Sequence, residues 1–73
     1  MDGTELTERL ERARRAVAEG ETQIEHQRAL IVRLRRTGED ISEAHALLDT
    51  LVKRQDERLQ NLGFVLREFP KQS

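Results

Sequence analysis

The sequence predicts an all-α fold: an antiparallel two-helix hairpin with helices over about 4–36 and 41–68, paired with a second copy as a homodimeric four-helix bundle. Three observations carry that prediction. Apolar and small residues recur at alternating spacings of four and three along each half of the chain. A short polar stretch with a glycine and an aspartate, RRTGEDISEA, divides the halves. Finally, 73 residues that are 36% hydrophobic and 37% charged hold too little apolar material for a free-standing core.

In the first half the inward positions are Leu6, Leu10, Ala13, Val17, Gly20, Ile24, Gln27, Ile31 and Leu34, an unbroken heptad seam. Asp2 and Glu5 have capping-box spacing at its start, with Thr4 an alternative N-cap. Arg33, Arg35 and Arg36 fall in the last turn, where cations complement the helix dipole. Such a helix is about 50 Å long at 1.5 Å per residue.

Gly38 suits the left-handed residue that ends a helix. Asp40 and Glu43 repeat the capping-box spacing, while Ser42 as N-cap, with Ile41 stapled onto Ala46, is a close rival. So short a connection forces the second helix back along the first. The acidic run Glu39, Asp40, Glu43 and Asp49 then reads as a favourable helix N-terminus and requires no ligand.

Inward positions of the second helix are expected at Ile41, Ala44, Leu48, Leu51, Gln55, Leu59, Leu62, Leu66 and Phe69, with one extra residue between Gln55 and Leu59. Gly63 offers an early end, but the apolar rhythm continues past it and Pro70 makes the stop. Pairing about the turn sets Leu34 against Ala44, Gln27 against Leu51, Ile24 against Gln55, and Gly20 against Leu59. The whole chain, 1–73, is one domain with short disordered tails at 1–3 and 70–73.

Two helices leave each seam residue half exposed, and near the turn the apolar stripe is wider than one seam needs. Leu30, Val32, Leu47 and Val52 are therefore the candidate dimer surface. A monomeric hairpin, or one that docks on another protein, is the alternative. Gly20 costs about 1 kcal/mol of helix stability relative to alanine, so Leu59 or a helix of a second subunit is expected to fill its space. Gln27, with Gln55 one or two turns away, is expected to fix register.

Little in the sequence supports chemistry. The chain has no cysteine, so disulfides and thiolate metal sites are excluded. Neither His26 nor His45 has the Glu-x-x-His spacing of a di-metal bundle, and His26 falls on the outer side of its heptad. Glu21 and Glu25 share a face, but Arg28 follows Glu25 by three residues and Glu21 by seven, so solvated ion pairing is the expected role. The glycines are dispersed rather than gathered in a phosphate loop, and Ser42 and Ser73 are the only serines. No catalytic, cofactor or metal residue is assigned, and the chain reads as a non-enzymatic protein-interaction or regulatory module.

Net charge is −1, which suggests no polyanionic or polycationic partner. The first fifteen residues are charged throughout and no stretch reaches the roughly 18 apolar residues of a membrane span, so a cytoplasmic protein is expected. The runner-up function is RNA binding through Arg28, Arg33, Arg35 and Arg36, for which the plasmid Rop protein, a dimeric helical hairpin, is a fold-level analogy. Against it, Arg9, Arg12, Arg14 and Arg15 are interleaved with Glu5, Glu8, Glu11 and Glu19, and the only aromatic residues, Phe64 and Phe69, lie in the other half of the chain rather than among the arginines.

About half of the chain resembles a family of small alphaproteobacterial helical proteins with no established function. The resemblance lies in Val17, Ala18, Gly20, Glu21, Ile24, Gln27, Leu30, Ile31 and Leu34, then Gly38 and Asp40, then Ala44, Leu47 and Leu48. It implies a bacterial source and a helical hairpin, and it implies no activity.

Overall fold

A computed structural model describes residues 3–69, and these form two α-helices and a tight turn. Helix α1 spans Gly3–Arg36 and α2 spans Ser42–Arg67. The bounds match those read from the heptads to within one residue, and α2 runs through Gly63 without a break. The expected cap at Asp2, the stop at Pro70 and the tail positions 1, 2 and 70–73 lie outside the described residues; Gly3, assigned to the tail, belongs to α1.

The turn is built as its sequence demands. Gly38 has φ 75°, the left-handed conformation that a Cβ would strain. Its N–H donates to Arg35 O at 3.1 Å and that of Glu39 donates to Leu34 O at 2.9 Å, the paired bonds of a Schellman motif. The start of α2 differs from expectation. Ile41 is the N-cap, with no side-chain capping bond, and Asp40 stands one place outside the helix. Asp40 Oδ1 accepts from the Ser42 N–H at 2.9 Å and the Ser42 hydroxyl at 2.7 Å. Neither the Asp40–Glu43 capping box nor a Ser42 N-cap forms. A carboxylate two residues before an amide closes an Asx turn more readily than it spans to the third residue, and this frees Ile41 to turn partly into the seam.

The hairpin is one helix layer thick. It extends 56 × 21 × 15 Å, and the shortest dimension is little more than the roughly 10–12 Å diameter of a single helix with its side chains. Burial is confined to the contact line: Ala13, Val17, Ile31 and Val65 are the buried apolar residues, joined by Gln27 and Gln55. Leu6, Leu10, Ile24, Leu34, Ala44, Leu48, Leu51, Leu62 and Phe69 are half-buried, as a two-helix seam leaves them.

One stretch of the seam is corrected. Leu59 and Leu66, expected to face inward, are 47% and 46% exposed, and their places are taken by half-buried Arg58 and buried Val65. Inward positions of α2 therefore run 51, 55, 58, 62, 65, 69, with no extra residue and no interruption of the heptad. The apolar leucines drew the expectation one position too far, whereas the coiled geometry admits the aliphatic stem of an arginine at Arg58. The cross-strand register shifts accordingly, and Gly20 is opposite Gln55 and Arg58 rather than Leu59.

Candidate interaction surface

The two seam glutamines are anchored, though not to each other. Gln27 Nε2 donates to Ala44 O at 2.8 Å, and Gln55 Nε2 donates to Val17 O at 2.8 Å. Each crosses from one helix to the backbone of the other, so the pair fixes both the axial register and the rotation of the helices. Gln27 reaches toward the turn to the backbone of Ala44. Gly20 makes the Gln55 brace possible. A Cβ there would overlap Gln55 Oε1, and would lie 2.8 Å from Gln55 Cδ and 2.9 Å from Arg58 Nη1. Gln55 Oε1 and Arg58 Nη1 are buried and have no hydrogen-bond partner. The waist of the hairpin is thus a polar knot set where one backbone has no side chain.

The residues expected to carry a dimer contact divide between the two flanks of the hairpin. Arg9, which precedes the seam residue Leu10, bridges Glu68, which precedes Phe69, at 2.6 Å. That ion pair fixes the flank on which residues just before these seam positions meet, and Leu30 and Leu47 have the same heptad place. Val52 has the opposite place, following Leu51, and Val32 leans to that side as well. Val32, Leu47 and Val52 are exposed and Leu30 is half-buried. Leu59 and Leu66 join Val52 at intervals of seven residues, which the sequence reading missed by placing both leucines inside. The signal was present: continuing the spacing of three and four past Gln55 reaches Arg58 and Val65.

Polar candidates are scattered. His26 is exposed, and His45 Nδ1 lies 3.6 Å from the carboxylate of Asp49 one turn later. Neither Glu21 nor Glu25 is ion-paired to Arg28. Arg28, Arg33, Arg35 and Arg36 are all exposed at the turn end of α1, and among the described residues no carboxylate bridges them. Among the described residues no group of three or more histidine, cysteine, aspartate or glutamate side chains is placed to hold a metal ion. No helix among them is long and apolar enough to cross a membrane. At the turn, the hydroxyl and amide of Ser42 hold the Asp40 carboxyl below its ordinary value of 3.8. No protein-family model, curated protein or solved structure matches the chain.

Proposed function

We propose that the protein is a non-enzymatic interaction module that acts as a self-associating helical hairpin, two copies forming a four-helix bundle. The observation that carries this reading is the surface left over by a single-layer fold. The accessible area is 6031 Å² for an 8.5 kDa chain, whereas a compact folded monomer of that mass exposes about 4,700 Å². The excess, on the order of 1,000 Å², is comparable with the roughly 800 Å² that each partner contributes to a stable interface. Stable domains bury their apolar stripes between layers, and a second hairpin supplies the missing one. The resemblance to small alphaproteobacterial hairpin proteins belongs to the same proposal and adds no activity to it.

Sedimentation equilibrium tests the reading. A dimer is expected at micromolar concentration, and a chain that remains monomeric at high micromolar concentration overturns it. RNA binding is the second reading, favoured by the four exposed arginines at the turn end that no carboxylate among the described residues bridges. Salt-dependent binding to a mixture of RNA and DNA marks that function, and no binding at low salt removes it.

A further inference from the structure

The two flanks of the hairpin differ in what they offer a second layer. Residues that follow the inward positions Leu51, Arg58 and Val65 are Val52, Leu59 and Leu66, which are 38%, 47% and 46% exposed. They recur every seven residues, so they form one row about 21 Å long on a single side of α2. On the same flank, the equivalent row of α1 follows Leu6, Ala13, Gly20, Gln27 and Leu34, and it reads Thr7, Arg14, Glu21, Arg28 and Arg35. One helix presents an apolar row here and the other a charged one.

Gly63 supplies a second, independent observation. It stands one turn from both Leu59 and Leu66 on that flank. Its φ is not positive, and a Cβ built on it meets nothing within 4 Å. The hairpin therefore gives no reason to forgo about 1 kcal/mol of helix stability at this position. A close approach by a backbone from outside the hairpin would give one.

Face-to-face stacking of two identical hairpins allows two two-fold arrangements. An axis parallel to the helices sets α2 of one copy on α1 of the other, which buries Val52, Leu59 and Leu66 against Arg14, Glu21 and Arg28. An axis across the helices sets α2 on α2 and α1 on α1, apolar row on apolar row. Desolvating charges against leucine is unfavourable, so the second arrangement wins.

We propose that two copies of this chain stack through the flank of Val52, Leu59, Gly63 and Leu66, about a two-fold axis that crosses the helices at the level of Leu59. The proposal rests on the self-association reading and deepens it. Leu59 then packs on the partner's Leu59, and Val52 packs on the partner's Leu66. The charged row gives a check that the apolar row did not supply. The pairing of Arg9 with Glu68, and of Gly20 with Gln55 and Arg58, sets Leu59 level with residues 16–19 of α1. Arg14 and Glu21 stand on either side of that level. The same axis therefore brings Arg14 against the partner's Glu21, opposite charges, and does so twice.

Single-cysteine variants test the geometry, since the chain has no cysteine of its own. Under mild oxidation Leu59→Cys is expected to form a disulfide-linked dimer. Val52→Cys and Leu66→Cys are expected to crosslink only when mixed, because copies of either residue lie roughly 20 Å apart and a disulfide needs Cα atoms within about 7 Å. A dimeric protein whose Leu59→Cys variant fails to crosslink overturns the proposal, as does crosslinking of Leu59→Cys to Glu21→Cys, the signature of α2 on α1. Gly63→Ala gives an independent readout. It is expected to weaken dimerisation about five-fold or more, the equivalent of about 1 kcal/mol, and unchanged dimerisation overturns the close approach. An unmodified protein that sediments as a monomer sinks the self-association reading itself, a result separable from a dimer with the wrong crosslinks.

Discussion

Gly20 and Gly63 both interrupt runs of strong helix formers, yet their surroundings are opposite. At Gly20 the absent side chain is replaced by Gln55 and Arg58 from across the seam. At Gly63 nothing within the hairpin occupies the space. A glycine that weakens a helix is informative in proportion to what fills its vacancy. The first is accounted for by the fold of one chain; the second is not. The waist of the hairpin is a contact completed within one chain, while the apolar row beside Leu59 has no counterpart in it.

The largest expected effect follows from that contrast. Gly20→Leu must displace the Gln55 brace, and overpacking of this kind costs about 1–3 kcal/mol. Thermal melts at a concentration low enough to populate the monomer would show it as a clear fall in Tm. At the same concentration Gly63→Ala is expected to raise Tm modestly, through helix propensity alone. Two glycine substitutions of opposite sign would sharpen the comparison. Equal signs would break it, and would mean that the waist is slack or the flank already filled.

The braces themselves rank next. Gln27→Ala removes a donor to Ala44 O, and Gln55→Ala removes a donor to Val17 O. A hydrogen bond of this kind contributes about 0.5–1.5 kcal/mol net. The Gln55 variant is expected to cost less than the Gln27 variant. Its loss also relieves a buried Oε1 without a partner and opens room for the equally unpartnered Nη1 of Arg58. Chemical denaturation of the two variants side by side measures the difference. A larger loss for Gln55→Ala would show that the waist is held together by the very residue that crowds it.

How much of this was legible in the sequence depends on which physical signal each residue carried. The helices, the turn and the left-handed Gly38 were legible because spacing and backbone sterics act locally. That Gln27 and Gln55 lie inside followed from heptad place alone. Their partners did not follow, since a side-chain donor can choose among several backbone carbonyls of the facing helix. Leu59 and Leu66 went astray for a different reason. Hydrophobicity pointed inward while heptad geometry pointed outward, and geometry decided. An apolar residue off the seam signals a second surface; Val52 was read that way, whereas Leu59 and Leu66 were hidden by being placed inside. The exposed apolar row was thus written into the sequence as leucines one place off a regular seam.

The smallest expected effect lies at the turn, far from both glycines. Asp40 is exposed, and its carboxyl is lowered by the hydrogen bonds from the Ser42 hydroxyl and amide. A carboxylate whose folded pKa is depressed stabilises the fold above its ordinary value of 3.8, and that contribution is lost as pH falls through the lower folded value. Asp40→Asn keeps an acceptor oxygen but removes the charge, so the variant isolates the ionic part of the cap. At neutral pH the variant is expected to melt slightly below the parent, and the gap should close in strong acid, where the parent's carboxyl is protonated too. The gap should also narrow with added salt, because nothing shields an exposed charge from screening. The side chains that meet Gly20, those of Gln55 and Arg58, include no carboxylate, so Gly20→Leu should carry the same penalty at neutral and acid pH. A pH-dependent Gly20→Leu penalty would mean that the waist is coupled to charges outside it, and that its contact is less self-contained than the polar knot around Gln55 implies.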